Sequence, residues 1–507
     1  MNLKISTLVL FTLISTQLFA QDENDALRFG QTFNFGTSRA MSVGGATGAL
    51  GADFSSVLTN PAGIGLYRAS EISFSPAMTF SESKAQFSNT EITDQSKFNF
   101  NSLGLIISNA EKNKRSQGRR KNWRATNVVI GFNRLANYNS EHSYSGTDNQ
   151  SSVIESFEEE FNQLGGFNSN SIALVSDAAY AAYTGYLIDE NTEDPTVAKS
   201  YVPYQDGLMR TKSVIQSGSN IEYAIGAGAS YKDKFYLGGT LGLPRIEYDR
   251  TQTITEQDIS GKLNNDFNYF TLEERLATQG NGVNFKLGAI WRVTKNLRLG
   301  ASVHTPTAYS LTDISSTSIE THTDSLLINS GISNSPIVNW STDEPLLSQY
   351  TFVSPMKALL SATLLLGQKG FLSGDLEYVD YAGMRYNYGN GFQAESEIIN
   401  AVIKGTYKST MNLRLGGEFK MSPLFALRAG FSLNGNPLKE VGRSTAATTY
   451  NAGLGYRKNK FFADFVGQYA TATFNDVTHQ LNRSVLIPNA GLTRNDINLG
   501  LTVGWRF

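Results

Sequence analysis

No cysteine occurs anywhere in the 507 residues. That absence excludes a disulfide framework, a thiolate metal site and a cysteine nucleophile, along with the acylated amino terminus of a lipoprotein. Charge is scarce as well. Asp, Glu, Lys and Arg make up 17% of the chain, against ~25% in an ordinary soluble domain. The net charge of −2 gives no electrostatic basis for binding nucleic acid. No stretch of ~18 apolar residues occurs, so a polytopic helical membrane protein is excluded. The four histidines, His142, His304, His322 and His479, are scattered and show no metal-ligand spacing. Neither a Gly-x-Ser-x-Gly elbow, nor a phosphate loop, nor a His-Glu-x-x-His motif is found. Asp375 and Glu377 fall on one strand face, as many strand carboxylates do. No catalytic residue, metal or cofactor is assigned, and the chain does not read as an enzyme.

What is present points to β-structure that meets lipid. The chain holds 46 Gly, 30 Phe and 23 Tyr, which suits strands with one apolar and one small or polar face. Residues 1–20 read as a secretory signal: Lys4 supplies the positive end, Leu8 to Ile14 the apolar core, and Leu18-Phe19-Ala20 the cleavage site. The apolar core is too short to span a bilayer, which takes ~20 helical residues. Export follows. At the other end Leu499, Leu501, Val503, Trp505 and Phe507 alternate with Asn498, Gly500, Thr502, Gly504 and Arg506, the period of a strand. An apolar face ending in a terminal aromatic is also what the barrel assembly machinery of the outer membrane recognises. The terminal strand of a soluble sandwich alternates in the same way, so this segment alone does not decide.

The alternation recurs, as in Ile72, Phe74, Met78 and Phe80, or Val283, Phe285, Leu287, Ala289 and Trp291. Connections decide the class. Short polar links such as Lys232-Asp233-Lys234 and Lys458-Asn459-Lys460 alternate with long ones near 251–280, 311–350 and 383–409. Tight periplasmic turns and long external loops are the asymmetry of a transmembrane antiparallel β-barrel. About fourteen strands fit between residues 70 and 507, the second near 97–108 and the third near 123–136. Residues 21–69 precede the ladder as an amino-terminal segment, helix-like around Arg39–Leu50 and Asp53–Leu58, with Asp53 a plausible N-cap. An external insertion near 150–205 carries Val153, Phe157, Phe161 and Leu164 on one helical face, followed by a second helical run from Ser171 to Ile188. That apolar face either forms a capture groove above the barrel mouth or is buried by the second helix. The basic run Lys112 to Arg124 reads as a solvated periplasmic loop.

The stretch Ser38-Arg39-Ala40-Met41-Ser42-Val43-Gly44-Gly45-Ala46-Thr47-Gly48-Ala49-Leu50-Gly51-Ala52-Asp53, continuing to Asn60-Pro61-Ala62-Gly63, resembles the hatch of the FadL/TodX family. These are outer-membrane transporters for long-chain fatty acids and other hydrophobic compounds. Leu299 to Pro306, Asp375 to Tyr381 and Leu413 to Phe419 are similar to the family's strand motifs, in order. The resemblance implies a fourteen-stranded barrel in the outer membrane of a Gram-negative bacterium, plugged by residues 21–69. Its ligand would be a long-chain fatty acid or other hydrophobic molecule, captured outside, bound in the lumen and released sideways into membrane lipid at a kinked strand. It implies that Asn60, Pro61 and Ala62 lie inside the barrel near the wall opening, and that Phe29, Phe33 and Phe35 touch the ligand tail. Locally, Asn-Pro is a turn or helix stop and the three Phe are packing residues; Phe29 also departs from the family's spacing to Arg39. Gly131 interrupts the third strand and either marks the kink or is an ordinary strand glycine. Some relatives serve in protein secretion, so a non-transporting anchor or shuttle is the alternative.

Overall fold

The computed structural model describes residues 22–33, 35–110, 122–262, 265–324, 326–440, 444–481 and 489–507. The signal segment and most of the basic run lie outside the described residues. Lipid on the outside and a plug on the inside select for strands of period two, and fourteen of them form one closed antiparallel barrel. In chain order these are β1 (Glu71–Gln86), β2 (Thr90–Ala110), β3 (Trp123–Asn137 and Ser140–Asp148), β4 (Leu208–Tyr231), β5 (Phe235–Asp258), β6 (Tyr269–Arg292) and β7 (Leu297–His304 and Ala308–His322). Next come β8 (Leu346–Val353 and Lys357–Leu365), β9 (Gly370–Asp380), β10 (Ser409–Lys420), β11 (Phe425–Asn434), β12 (Ala447–Lys458), β13 (Phe461–Val477) and β14 (Asn489–Arg506). The seam is closed by β1 on β14, from Glu71↔Arg506 to Gln86↔Gly491. At this seam neither strand is left with a free edge.

The outward face is apolar on every side: Phe74, Ile130, Leu237, Leu287, Leu360, Leu415, Leu454, Phe465 and Trp505 are all exposed. In water such a continuous surface would be untenable; in a bilayer it is the solvated face. Proline explains two interrupted strands. Pro306 divides β7 and Pro355 divides β8, because proline cannot donate to a ladder. At that level Thr307 N donates to Ser354 Oγ at 2.9 Å and Ser354 N to Thr307 O at 3.0 Å.

The strands outrun the sequence expectation at their outer ends. β2 starts at Thr90 rather than 97, and β5 and β6 extend to Asp258 and from Tyr269, so the expected loop at 251–280 is mostly strand. Beyond the lipid both faces are polar, and the alternation that marks a strand fades.

Residues 22–69 fill the lumen with α1 (Glu23–Gly30), α2 (Ser38–Ser42), α3 (Ser56–Thr59) and a 3₁₀ turn, Pro61–Leu66. Helix ends early after Ser42 because Gly44 and Gly45 take φ of 66° and 75°, values that other residues avoid. Ser55 directly precedes α3 but its side chain makes no cap; Asp53 caps the turn before it, its Oδ1 accepting from Ser55 N at 3.0 Å and from Thr37 Oγ1 at 2.7 Å. Plug and wall meet backbone to backbone. A side-chain carbon at Gly238 would lie 2.1 Å from Pro61 O, and one at Gly430 would lie 2.1 Å from Gly44 N. Ser38 N also donates to Thr502 Oγ1 at 2.7 Å, and Gly48 N to Asp375 Oδ2 at 2.9 Å. No side chain fits between them.

The insertion folds as α4 (Ile154–Gln163), α5 (Ser169–Ile172) and α6 (Asp177–Thr184), followed by a two-stranded ribbon, Ile188–Glu190 with Ala198–Ser200. The second helical run breaks at Ser176, which caps α6 through Ala179 N. Arg210 anchors the insertion to the barrel. It is fully buried and bonds Asp148 Oδ2, Glu256 Oε1 and Ser151 O, each at 2.7 Å.

Candidate ligand cavity and wall window

Above the plug's glycine contacts the packing loosens into two neighbouring cavities. The larger holds about 340 Å³ between α1 and the inner faces of β1 and β11–β14, within the usual range for small ligands. Leu27, Phe33, Phe35, Tyr381, Tyr407 and Leu438 supply its apolar side, while Thr79, Gln468, Asn498 and the Arg494–Asp496 pair (3.0 Å) supply its polar side. The smaller, about 80 Å³, is also lined by Phe33 and Phe35, and by Phe29, Leu58 and Leu135. Its floor is charged. Glu222 pairs with Lys286 and accepts from Asn284 Nδ2 at 2.9 Å, and Glu377 accepts from Arg414 at 2.6 Å and Asn412 at 2.9 Å. His304 Nε2 donates to Thr59 O at 3.0 Å, so it is a lumen residue turned against the plug. Lys357 bonds Thr32 Oγ1 of the plug, and no carboxylate lies in ion-pair contact with it among the described residues.

The predicted site residues separate into two groups. Phe33 is half exposed and Phe35 partly so; their rings lie 6.4 Å apart and line both cavities. Phe29 is buried in edge-to-face contact with Tyr138, Tyr248 and Phe352 at 6.0, 5.8 and 6.3 Å, and reaches only the smaller cavity. Asn60, Pro61 and Ala62 do lie inside the barrel, but against β5–β7 and not beside an opening. Asn60 Nδ2 donates to Gly48 O (2.7 Å) and Ala289 O (3.2 Å), and its Oδ1 accepts from Ala62 N (3.1 Å). The first and last of these brace the plug internally, and the bond to Ala289 O fastens it to the wall. In the insertion Phe161 is fully buried, Phe157 packs on the same cluster with α6, and Leu164 is half-buried at the end of α4. The two helices bury their faces against each other, so no capture groove is formed by Phe157, Phe161 and Leu164.

The third strand does break, but not at Gly131. That residue pairs in register with Gly104 and Ala224, and its missing side chain makes room for the Phe54 ring, 2.6 Å from where a Cβ would sit. The register shifts instead between Arg134 and Ala136, and the strand is interrupted at Tyr138 and Asn139. Leu135 is the extra residue of that bulge. Its carbonyl accepts from Phe33 N at 2.8 Å, which ties the cavity-lining Phe33 to the break.

At the break the ladder stops, and Arg134 Nε alone reaches across to β2 there among the described residues, to Phe100 O at 3.4 Å. β2 pairs with β3 only from Ser102↔Asn133 to Ala110↔Ala125, although it pairs with β1 from Thr90 onward. Higher up, the two strands touch through side chains, Thr93 Oγ1 to Glu141 O at 2.8 Å and Ser145 Oγ to Glu91 Oε1 at 2.5 Å. Between these limits residues 94–101 of β2 and 134–139 of β3 share no ladder. The window stands beside Phe33 and the larger cavity, which Asn137 also lines. Sequence reasoning missed Asn137, Lys357 and Arg494. A cation on an inward strand position was the available signal for the last two.

No group of His, Asp or Glu that could hold a metal occurs among the described residues. No family model matches the chain, and no curated protein does. Solved structures do. A FadL homologue from Pseudomonas aeruginosa aligns over 94% of this chain and 100% of its own, with a TM-score of 0.53 and 12% identity. The toluene transporter TodX of P. putida aligns over 94% and 99%, with a TM-score of 0.51 and 10% identity. At such identities the likeness is one of fold, and the fold of this chain, a plugged barrel of fourteen strands, is that of the FadL/TodX outer-membrane transporters.

Proposed function

We propose that this protein takes up hydrophobic small molecules across the outer membrane of a Gram-negative bacterium, with long-chain fatty acids as the first candidate. The observation that carries this reading is the window in the β2–β3 wall next to a cavity faced by Phe33 and Phe35. The backbone contacts between plug and wall deny an axial path. A molecule entering from outside therefore has a lined pocket and a sideways exit at the level of the lipid. This order of steps suits an apolar cargo, because each CH₂ kept out of water is worth ~0.8 kcal/mol. A fatty acid also carries a carboxylate, and Lys357 offers it an ammonium group whose hydrogen-bond partner among the described residues is Thr32. A monoaromatic hydrocarbon would use the same route without that contact.

Insertion by the barrel assembly machinery, guided by the terminal Phe507, belongs to the same reading. The test is uptake of labelled oleate and labelled toluene into cells with and without the gene, repeated in liposomes holding the purified protein. Faster entry of either ligand with the protein present supports the proposal. Equal entry of both in both systems overturns it.

A further inference from the structure

Above the window the upper segment of β3 (Ser140–Asp148) keeps its pairing with β4, yet it does not pair with β2. Two strand edges thus face each other without a ladder, an arrangement that strands ordinarily remove by zipping together. Something holds them apart. Tyr144 of this segment points inward and is fully buried in a small cluster with Ala85 of β1 and Ala490 and Leu492 of β14. Its hydroxyl donates to Asp476 Oδ2 on β13 at 2.9 Å. Lys212, opposite Tyr144 on β4, reaches the same oxygen at 2.8 Å, and His142 Nε2 stands 3.9 Å from it. At the break itself Arg494 of β14 donates to Asn139 O at 2.9 Å. These contacts draw the segment over the inner faces of β1, β13 and β14, while among the described residues β2 hydrogen-bonds to it only through Thr93 and Glu91.

We infer that Asp476 is the positioning residue of a tie, completed by Tyr144, Lys212 and Arg494, that holds the upper segment of β3 off β2 and so keeps the wall window open. The inference rests on the transport reading for its purpose, but not for its geometry. Its logic is a competition between two satisfied states. In one, a carboxylate collects a phenol and an ammonium, and charge-assisted bonds of this kind are the stronger ones. In the other, the register that ends at Ser102↔Asn133 continues upward, and the edge amides of residues 94–101 gain backbone partners. Removing the carboxylate transfers the advantage to the second state. The window then closes.

The experiment is backbone hydrogen exchange on the purified full-length barrel, wild type against Asp476→Ala, with heat-modifiable mobility as the check on folding. Tyr144→Phe serves as a milder variant that removes one bond of the tie and leaves the ring in place. The expected result is exchange of the edge amides in 94–101 slowed by about tenfold or more in Asp476→Ala, as a ladder protects them, with a smaller effect in Tyr144→Phe. Ligand uptake in liposomes should slow in the same order. Unchanged exchange in both folded variants overturns the tie. Slower exchange together with no uptake by any form, wild type included, leaves the tie standing and removes the transport reading instead.

Discussion

The lower and upper halves of the lumen are built on opposite principles. Below, plug and wall touch through glycines and backbone atoms, with hydrogen bonds such as Asn60 Nδ2 to Ala289 O crossing the interface. Above, the space is filled by aromatic rings that meet edge to face, cavities remain, and one wall is unzipped. Tight backbone contact is specific and unforgiving, because no side chain is available to yield. Ring contacts are individually weak and adaptable. The same short plug therefore acts as a fixed floor at one end and as a binding surface at the other.

The sharpest way to break that contrast is to thicken the floor. Gly430→Leu should prevent the barrel from reaching its heat-modifiable folded form, whereas Phe33→Leu should leave folding untouched. Next in size, Asn60→Ala removes three buried hydrogen bonds, one of them to the wall, and should lower stability by about 3 kcal/mol, read as a shift in denaturant midpoint with ligand affinity unchanged in the folded fraction. Phe33→Ala tests the upper half. It should weaken ligand binding about tenfold, the equivalent of ~1.4 kcal/mol, while changing the midpoint little. Lys357→Met sharpens the chemistry: oleate binding should fall about fivefold, as expected for losing a charge-assisted bond, and toluene binding should not change.

The smallest effect concerns acidity. Burial pushes the His142 imidazole below its ordinary value; Asp476 opposes this, and Lys212 and Arg494 reinforce it. Neither ring nitrogen has a hydrogen-bond partner among the described residues. A histidine whose folded-state pKa is depressed binds its proton more readily when unfolded, so its contribution is present above about pH 6.5 and is lost as pH falls below it. Protection of Ser140–Asp148 amides, corrected for the intrinsic exchange rate at each pH, should fall slightly between pH 7 and pH 5, and His142→Gln should flatten that response.

The membrane-spanning half of each strand was legible because lipid on one face and plug on the other impose the alternation directly. The outer extensions of β2, β5 and β6 were not, since water on both faces asks for none. At the site, Phe33 and Phe35 could be picked out as apolar residues preceding the glycine-rich plug. Their separation from Phe29 could not, because it depends on which strand each ring meets. The break in β3 was the hardest feature to read. Glycine is the usual sign of a strand irregularity, but here Gly131 serves the Phe54 ring. The irregularity itself is made by Arg134–Asn139, residues unremarkable in sequence, under the pull of Asp476 and Arg494 from more than three hundred positions away.

The backbone contact between plug and wall also constrains how the molecule is assembled. Ser38 is held by Thr502 of β14, 464 positions later. Gly44 lies against Phe431 and Gly430 of β11, too close for threading past a finished wall. Contacts this remote in sequence form late. Seating of the plug and closure of the β1–β14 seam are thus a single terminal event. A nascent chain lacking β14 leaves Ser38 without its partner Thr502 and the seam open, however many of the plug's other contacts are in place.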